Sequence, residues 1–530
     1  MRYSGTLLFS VGLLCLGFMA SASVVYGAAP AGGPTLTKSI GEAIALAGAT
    51  PEEQGELARI YSAFSGQELW ASNKRKKTLL RLLTSLESDA IDVNRLGRLE
   101  APAISRVQRE VSASLVLLRV CHAMADGQVS RDQVPGWAIE RNASLMVDAV
   151  IDAIRTDDIM SVLSSLRPSA EEYAQLSKAY LRYRKLEMEP WPALSTFDKV
   201  ASPNDAAWPE VTNRLHLLGD LQGEATDSKA VDGAVRRFQR RHGLDEDGRI
   251  GSETLSQLNI SPSRRADQIA VNLEYWRLLP HQWPARYVTV NAADASLAVM
   301  ESGQNRFRAR VIVGDPEHQT PVMNASIKAV TFNPDWTIPR SIAVNEILPR
   351  LRRDAHYLLD RDIVVVDRTD DPSGTTIDWR NFSRNNFPFQ LRQLPGPNNA
   401  LGLVKFEMPN RNDVFLHDTP ERTLFSRSSR ALSHGCVRVE CAQELAMQLI
   451  DNPALWLERD TLAALKEGRT LTVPLRAPLP VFLLYFTAFA GPDGDVQFRK
   501  DMYGRDKAVL AALQAAKTGA RQSIQWSGGP

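Results

Sequence analysis

The sequence predicts a multidomain α+β protein, helical over its first part and mostly β over its second. Three observations carry this. Apolar residues recur at helical spacing from about Thr35 to Leu186. A compact helical unit follows within residues 205–262. From Tyr287 the period shortens to that of strands, in RYVTVN, SLAVM and RARVIVG. At 530 residues the chain has room for about three or four domains. Hydrophobic residues make up 44% and charged residues 23%, ordinary globular usage that excludes a largely disordered or multi-span membrane chain. Lys+Arg is 62 against 61 for Asp+Glu, so there is no global basic field for nucleic acid. Four cysteines are too few for a dense disulfide framework.

Residues 1–27 read as a signal peptide or membrane anchor. Arg2 is the only charge before Lys38, Leu7 to Ala20 is uninterrupted by charge, and small residues follow at Ala20-Ser21-Ala22 and Gly27-Ala28-Ala29. The apolar run would make a helix of roughly 21 Å, short of a hydrocarbon core. The expected location is the periplasm or cell envelope, with the inner membrane as the site of any anchor. Residues 28–200 read as a helical scaffold. Ser169-x-x-Glu172 predicts a capping box, and Tyr173, Leu176, Tyr180 and Tyr183 then recur as a core-packing stripe. Glu187 to Trp208 is a connector rich in Pro and Trp.

In the 205–262 unit, Val231, Val235 and Phe238 form one apolar face. Gly243 stops that helix, and Ser252 is placed to cap the next. Arg236, Arg237, Arg240 and Arg241 are either a solvated face or a contact for an anionic polymer. Residues 266–515 form the β-rich domain, with further strands at IKAVTFN and LGLVKFEM and a helix after Cys441. VFLLYFTAF and DVQF, either side of Gly491-Pro492-Asp493-Gly494, predict a hairpin. About 339–397 is an insert of mixed helix and loop, and 516–530 is a tail.

The chemistry concentrates in VFLHDTPERTLFSRSSRALSHGCVRVE. A thiol with a nearby imidazole is the minimal equipment for covalent acyl transfer, because the imidazole takes the thiol proton and the thiolate attacks. Gly435 lets the backbone turn closely before Cys436, and the two amides there are candidate oxyanion donors. In an extended segment His434 and Cys436 share a face. Two other readings compete. Zinc held by His417, His434, Cys436 and Cys441 has suitable residue types but no paired CxxC knuckle. A Cys436–Cys441 disulfide is opposed by an extended Val437–Glu440, which would hold the Cα atoms beyond roughly 7 Å.

SHGCVR, with a histidine upstream at this distance, resembles the signature of the L,D-transpeptidase (YkuD-like) catalytic domain. VGDPEHQTP, NPDWTIPRSIA and PGPNNALGLVKF resemble other segments of that domain, and AVRRFQRRHGLDEDGRIGSETLSQL resembles a small peptidoglycan-binding module. The whole layout resembles the large multidomain murein L,D-transpeptidases. The fold implied is a helical N-terminal scaffold, a small helical peptidoglycan-binding module, and a mostly β catalytic domain with an inserted capping subdomain. The resemblance implies Cys436 as nucleophile, His417 as base, His434 as a shaping residue, and the Gly435 and Cys436 amides as oxyanion hole. Ser433, Arg438, Asp418 and Trp336 are the implied supporting or substrate-binding positions. It further implies 3→3 cross-linking of peptidoglycan stems. A donor tetrapeptide loses D-Ala to form a thioester, and a diamino-acid amine accepts the acyl group. Carbapenems would acylate the same sulfur, and neither metal nor cofactor is called for. Resolution of the same thioester by water, giving a carboxypeptidase or endopeptidase, is the alternative.

Overall fold

The computed structural model describes residues 34–515 apart from 98, 100–104, 141–145, 195–207, 451–462, 464 and 492. The expected signal segment, most of the connector and the tail lie outside the described residues.

The N-terminal region is helical. The Arg106–Ala125 helix is its buried centre, capped by a Ser105–Gln108 capping box, and the helices from Pro51–Ala63, Asn73–Ser85 and Met146–Thr156 share its core. Cys121 lies in that core, where burial pushes its thiol up to about 12 and leaves it inert. A short strand, β1 (Trp137–Ala138), leaves this region to join the second half of the molecule.

The predicted capping box at Ser169 does not form. The Glu171–Leu186 helix has Ala170 at its N-cap, and the Ser169 hydroxyl donates instead to the His281 carbonyl. The tyrosine stripe does pack inward, with Tyr173, Leu176 and Tyr183 buried. Glu274 and Arg277, fully buried and 2.6 Å apart, bind this region to the Pro262–Leu278 helix. Glu274 accepts from the Val129 N–H, while Arg277 donates to the Asp89 carbonyl and the Tyr173 hydroxyl. A buried pair costs desolvation, which these extra hydrogen bonds offset.

The small helical unit contains Trp208–Leu217, Ser228–Arg241 and Ser252–Leu258. Gly243 (φ +65°) ends the middle helix as its sequence predicts. Ser252, however, is the first helical residue and Gly251 the cap, without a side-chain bond. The four arginines are not a free cationic face. Arg236 pairs with Asp232, Arg240 with Glu246, Arg237 donates to the Asp220 carbonyl, and Arg241 forms a buried pair with Asp220. Arg241 also donates to Val496, tying the unit to the β domain.

The β domain opens with β2 (Arg286–Asn291), β3 (Ser296–Glu301), β4 (Gln304–Gly314) and β5 (Val322–Phe332). The insert supplies its own sheet from β6 (Trp336–Thr337), β7 (Ile363–Val365) and β8 (Leu391–Gln393). The main sheet resumes with β9 (Val404–Glu407), β10 (Leu416–His417), β11 (Ala431–Ser433), β12 (Val437–Val439) and β13 (Leu471–Leu484). β14 (Ala488–Ala490) and β15 (Val496–Phe498) form the predicted hairpin, but VFLL belongs to β13 rather than to it. Among the described residues the main sheet runs β1-β5-β13-β2-β3-β4-β12-β10-β9, and a β5–β9 pairing closes it on itself. Closure removes most edges. It also lets inward side chains such as Val288, Val290, Val330, Phe332 and Phe406 fill one interior.

The insert has a core of its own. Trp379 and Phe387 are buried and ring against Phe382 and Phe389, with Ile347, Leu348, Leu358 and Leu391 beneath. Its aromatic residues therefore serve packing, not an open binding face.

Candidate active site

Cys436 and His417 reach one face of the sheet through strand register. β10 and β12 run parallel, with Leu416 opposite Val437 and His417 opposite Arg438. Two residues back from Arg438 the chain returns to the same face at Cys436. The antiparallel partner on the other side places Lys405 opposite His417. Lys405, His417 and Arg438 thus form a row across three strands, with Cys436 at its side.

His417 is buried, and its Nδ1 lies 2.5 Å from the Asp418 carbonyl oxygen. A carbonyl only accepts, so Nδ1 carries the proton and Nε2 keeps its lone pair. Burial, helped by Arg438, pushes the imidazole down to about 3, so the ring is neutral at physiological pH. Burial also raises the Cys436 thiol. The Phe415 N–H, Arg438 and Lys405 oppose that shift. At rest the thiol and the imidazole are therefore both neutral. The thiol points at the Asp413 carbonyl, 3.8 Å away. Asp413 is held in the left-handed region (φ +51°) by a loop that Asn410 staples through Met408 and Val414.

The turn before the thiol departs from expectation. Residues 434–436 form a bend, with Gly435 at φ +106°, a conformation that side chains rarely adopt. His434 and Cys436 are therefore not neighbours on one extended face. The Gly435 N–H donates to Ser433 Oγ at 3.2 Å, which removes it from the expected pair of oxyanion donors. The Cys436 N–H has no partner among the described residues and is left for that role. Ser433 is buried, and its hydroxyl also donates to the Cys436 carbonyl. It fixes the turn and is not exposed to a substrate.

Asp418 does not face a substrate either. Its carboxylate is buried, accepts from the Leu403 N–H at 2.9 Å and lies 2.6 Å from Arg422. Its backbone carbonyl, not its side chain, orients the base. Gly402 (φ +62°) makes room for it, since a Cβ there would come within 2.5 Å of the carboxylate. Arg438 pairs with Glu421 at 2.5 Å. Trp336 pairs in the insert sheet with Gln393 and packs on the insert core, so the structure does not bring it to the thiol.

His434 turns toward the insert, where its Nε2 lies 2.9 Å from Glu346 Oε1. Its ring also meets that of His318, 4.7 Å between centroids. Glu346 and Thr320 are residues that the sequence pattern alone does not single out. Buried Thr320 donates to the Gly435 carbonyl and accepts from the Gly314 N–H, locking the turn after β4 to the catalytic turn. Its position at the end of VGDPEHQTP is the one signal the sequence offers. Cys436 and Cys441 are free thiols, joined by the extended β12 and the N-cap of the Ala442–Leu449 helix. Among the described residues no group of three or more His, Cys, Asp and Glu is placed to hold a metal.

A buried imidazole whose Nδ1 is committed to a carbonyl, a cysteine just before the neighbouring strand, and an amide at that cysteine without a partner among the described residues are the kinds of group that covalent acyl transfer uses. Comparison with known proteins adds to this. Residues 285–454 match the L,D-transpeptidase catalytic domain, residues 55–179 a scaffold domain, and residues 204–258 a domain described as "putative peptidoglycan binding". A Haemophilus influenzae protein described as "Putative L,D-transpeptidase" is 35% identical over 253 residues, 47% of this chain and 50% of that protein. The match thus spans half the length of that relative. A crystal structure of the L,D-transpeptidase (residues 123-326) from Xylanimonas cellulosilytica aligns at 15% identity, over 55% of this chain and 99% of that one, with a TM-score of 0.19. Residues 285–454 are therefore similar to the L,D-transpeptidase catalytic domain.

Proposed function

We propose that the chain is a peptidoglycan L,D-transpeptidase of the cell envelope, forming 3→3 cross-links. The observation that carries this is the His417 Nδ1–Asp418 carbonyl hydrogen bond, which leaves Nε2 as a base on the sheet face of Cys436. His417 Nε2 takes the thiol proton as sulfur attacks the carbonyl of the third stem residue. The Cys436 N–H meets the developing oxyanion, and Lys405 and Arg438 favour negative charge on sulfur. D-Ala leaves with the proton. The acyl group rides on sulfur as a thioester until the amine of a neighbouring stem's diamino acid takes it, so no cofactor takes part. Carbapenems would be trapped at the same sulfur. The match to a peptidoglycan-binding domain supports a wall substrate, and export by residues 1–27, as signal or anchor, fits it.

The test is mass spectrometry of tetrapeptide muropeptides incubated with purified protein. New tripeptide–tetrapeptide dimers with release of D-Ala are expected. Loss of D-Ala without dimers would make the enzyme a hydrolase and overturn the reading.

A further inference from the structure

Tyr503 and Arg505 lie beyond residues 285–454, the span similar to the catalytic domain, yet a chain of hydrogen bonds joins them to the turn that carries Cys436. The chain begins at Asp501. Its carboxylate accepts from the Arg505 and Asp506 N–H groups, in the first turn of the Arg505–Ala515 helix, and from the Tyr485 hydroxyl at 2.8 Å. The Tyr485 oxygen in turn accepts from the Tyr503 N–H at 3.0 Å, and the two rings stack with centroids 5.0 Å apart. The Arg505 guanidinium lies over both rings. Tyr503 and Arg505 are thus held from the C-terminal side.

Both then grip the loop between β4 and β5. The Tyr503 hydroxyl donates to the Gly314 carbonyl at 2.6 Å and accepts from the Thr320 N–H at 3.4 Å. Arg505 donates to the Thr320 carbonyl at 2.9 Å and to Gln319 Oε1 at 3.1 Å. Thr320, Tyr503 and Arg505 are all buried, so these bonds form away from competing water. The Thr320 hydroxyl accepts from the Gly314 N–H and gives its one proton to the Gly435 carbonyl, at 2.8 Å.

That last bond bears on the chemistry through a single peptide unit. The Gly435 carbonyl and the Cys436 N–H belong to one planar trans unit, so they point in opposite directions. A bond that holds the carbonyl toward Thr320 therefore aims the N–H away from it. Gly435, without a Cβ, does little to fix the orientation of that plane by itself. An outside contact has to set it, and Thr320 supplies that contact.

We propose that Thr320, Tyr503 and Arg505 are positioning residues that aim the Cys436 N–H at the developing oxyanion, so that the C-terminal segment sets the oxyanion hole. The proposal rests on acyl transfer to Cys436 and is indifferent to whether amine or water resolves the thioester. An amide aimed at the oxyanion acts in the transition state and adds nothing to prior binding. It has no role when the same sulfur displaces a halide, because no oxyanion forms there.

The experiment compares two reactions of Cys436 in the full-length protein. A carbapenem acylates the sulfur through an oxyanion, iodoacetamide alkylates it without one, and peptide mapping assigns both to Cys436. Thr320→Val should slow acylation at saturating carbapenem by at least about tenfold, short of the roughly 100-fold or more that loss of an entire oxyanion donor costs. Carbapenem binding before acylation, and the alkylation rate, should be unchanged. Thr320→Ser keeps the hydroxyl and should recover most of the rate. Tyr503→Phe keeps the ring stacked on Tyr485, and Arg505→Lys keeps the charge without the planar fork. Each should slow acylation several-fold and leave alkylation alone. The final yield of adduct counts the folded fraction, so lost fold is read apart from slow chemistry. Acylation at the wild-type rate in Thr320→Val, Tyr503→Phe and Arg505→Lys, or equal slowing of acylation and alkylation, would overturn the proposal. A wild type that the carbapenem never acylates, although iodoacetamide alkylates it, would refute acyl transfer itself and the proposal with it.

Discussion

Glu346 Oε1 of the insert lies 2.9 Å from Nε2 of His434, the histidine of the catalytic turn. The insert therefore contacts the motif through this polar contact, not through its aromatic residues, which are committed to its own core. Glu346 sits in a π-helical turn, Ala343–Ile347, a distortion that often marks function. Both side chains are part exposed, so the pair contributes about 0.2–1 kcal/mol. Glu346→Ala should leave global stability nearly unchanged while amide exchange in 343–347 rises and carbapenem acylation slows a few-fold. Unaltered exchange and acylation would make the pair incidental.

The nucleophile assignment predicts that Cys436→Ala abolishes carbapenem labelling without unfolding the chain, since one small side chain replaces another. Cys441→Ser should leave labelling nearly intact, because Cys441 is a free thiol at a helix N-cap. Intact-mass measurement after incubation with a carbapenem reads both.

For the base, His417→Gln should slow acylation by about 100-fold or more. Asp418→Asn should cost far less, because the orienting contact is made by the backbone carbonyl. Stopped-flow acylation kinetics distinguish the two. A dead Asp418→Asn beside an active His417→Gln would exchange the roles of these two residues.

Gly402→Ala tests the support beneath the base. The position has φ +62° and its Cβ would strike the Asp418 carboxylate. It should destabilise the fold by more than about 1 kcal/mol and slow acylation as the 418 carbonyl shifts. A urea melt alongside kinetics would check this.

Acid stability follows from the buried imidazoles. His417 is held at about 3 in the folded state against an ordinary value of 6.5, and burial lowers His242 as well. Between those limits the unfolded chain binds a proton at His417 that the folded chain does not. Stability therefore falls as pH drops below 6.5, by up to about 1.4 kcal/mol per pH unit from this residue. Urea midpoints at pH 7.5 and 5.5 should fall with acid in the wild type and by less in His417→Gln.

The strands of the β domain are legible from their period, and Cys436, His417 and His434 stand out as a candidate cluster by residue type, with the choice of His417 as base resting on the family resemblance. What escapes the sequence is written in backbone or in distance. Asp418 acts through a carbonyl that every residue possesses, so nothing in its side chain signals the role. Gly435 reads as a flexible turn, but only its φ shows that its N–H faces Ser433. Glu346 and Thr320 reach the site from other segments of the chain. Ser169 and Ser252 fail as caps because tertiary contacts move one hydroxyl away and the second helix begins a residue early.

The most direct test of the acyl-transfer account is peptide mapping of protein quenched during turnover with a tetrapeptide stem. The account predicts a tripeptide acyl group in thioester linkage on Cys436, accumulating in the absence of an acceptor and discharged when one is added. Dimers formed without any adduct on Cys436, or with the acyl group on another residue, would contradict it.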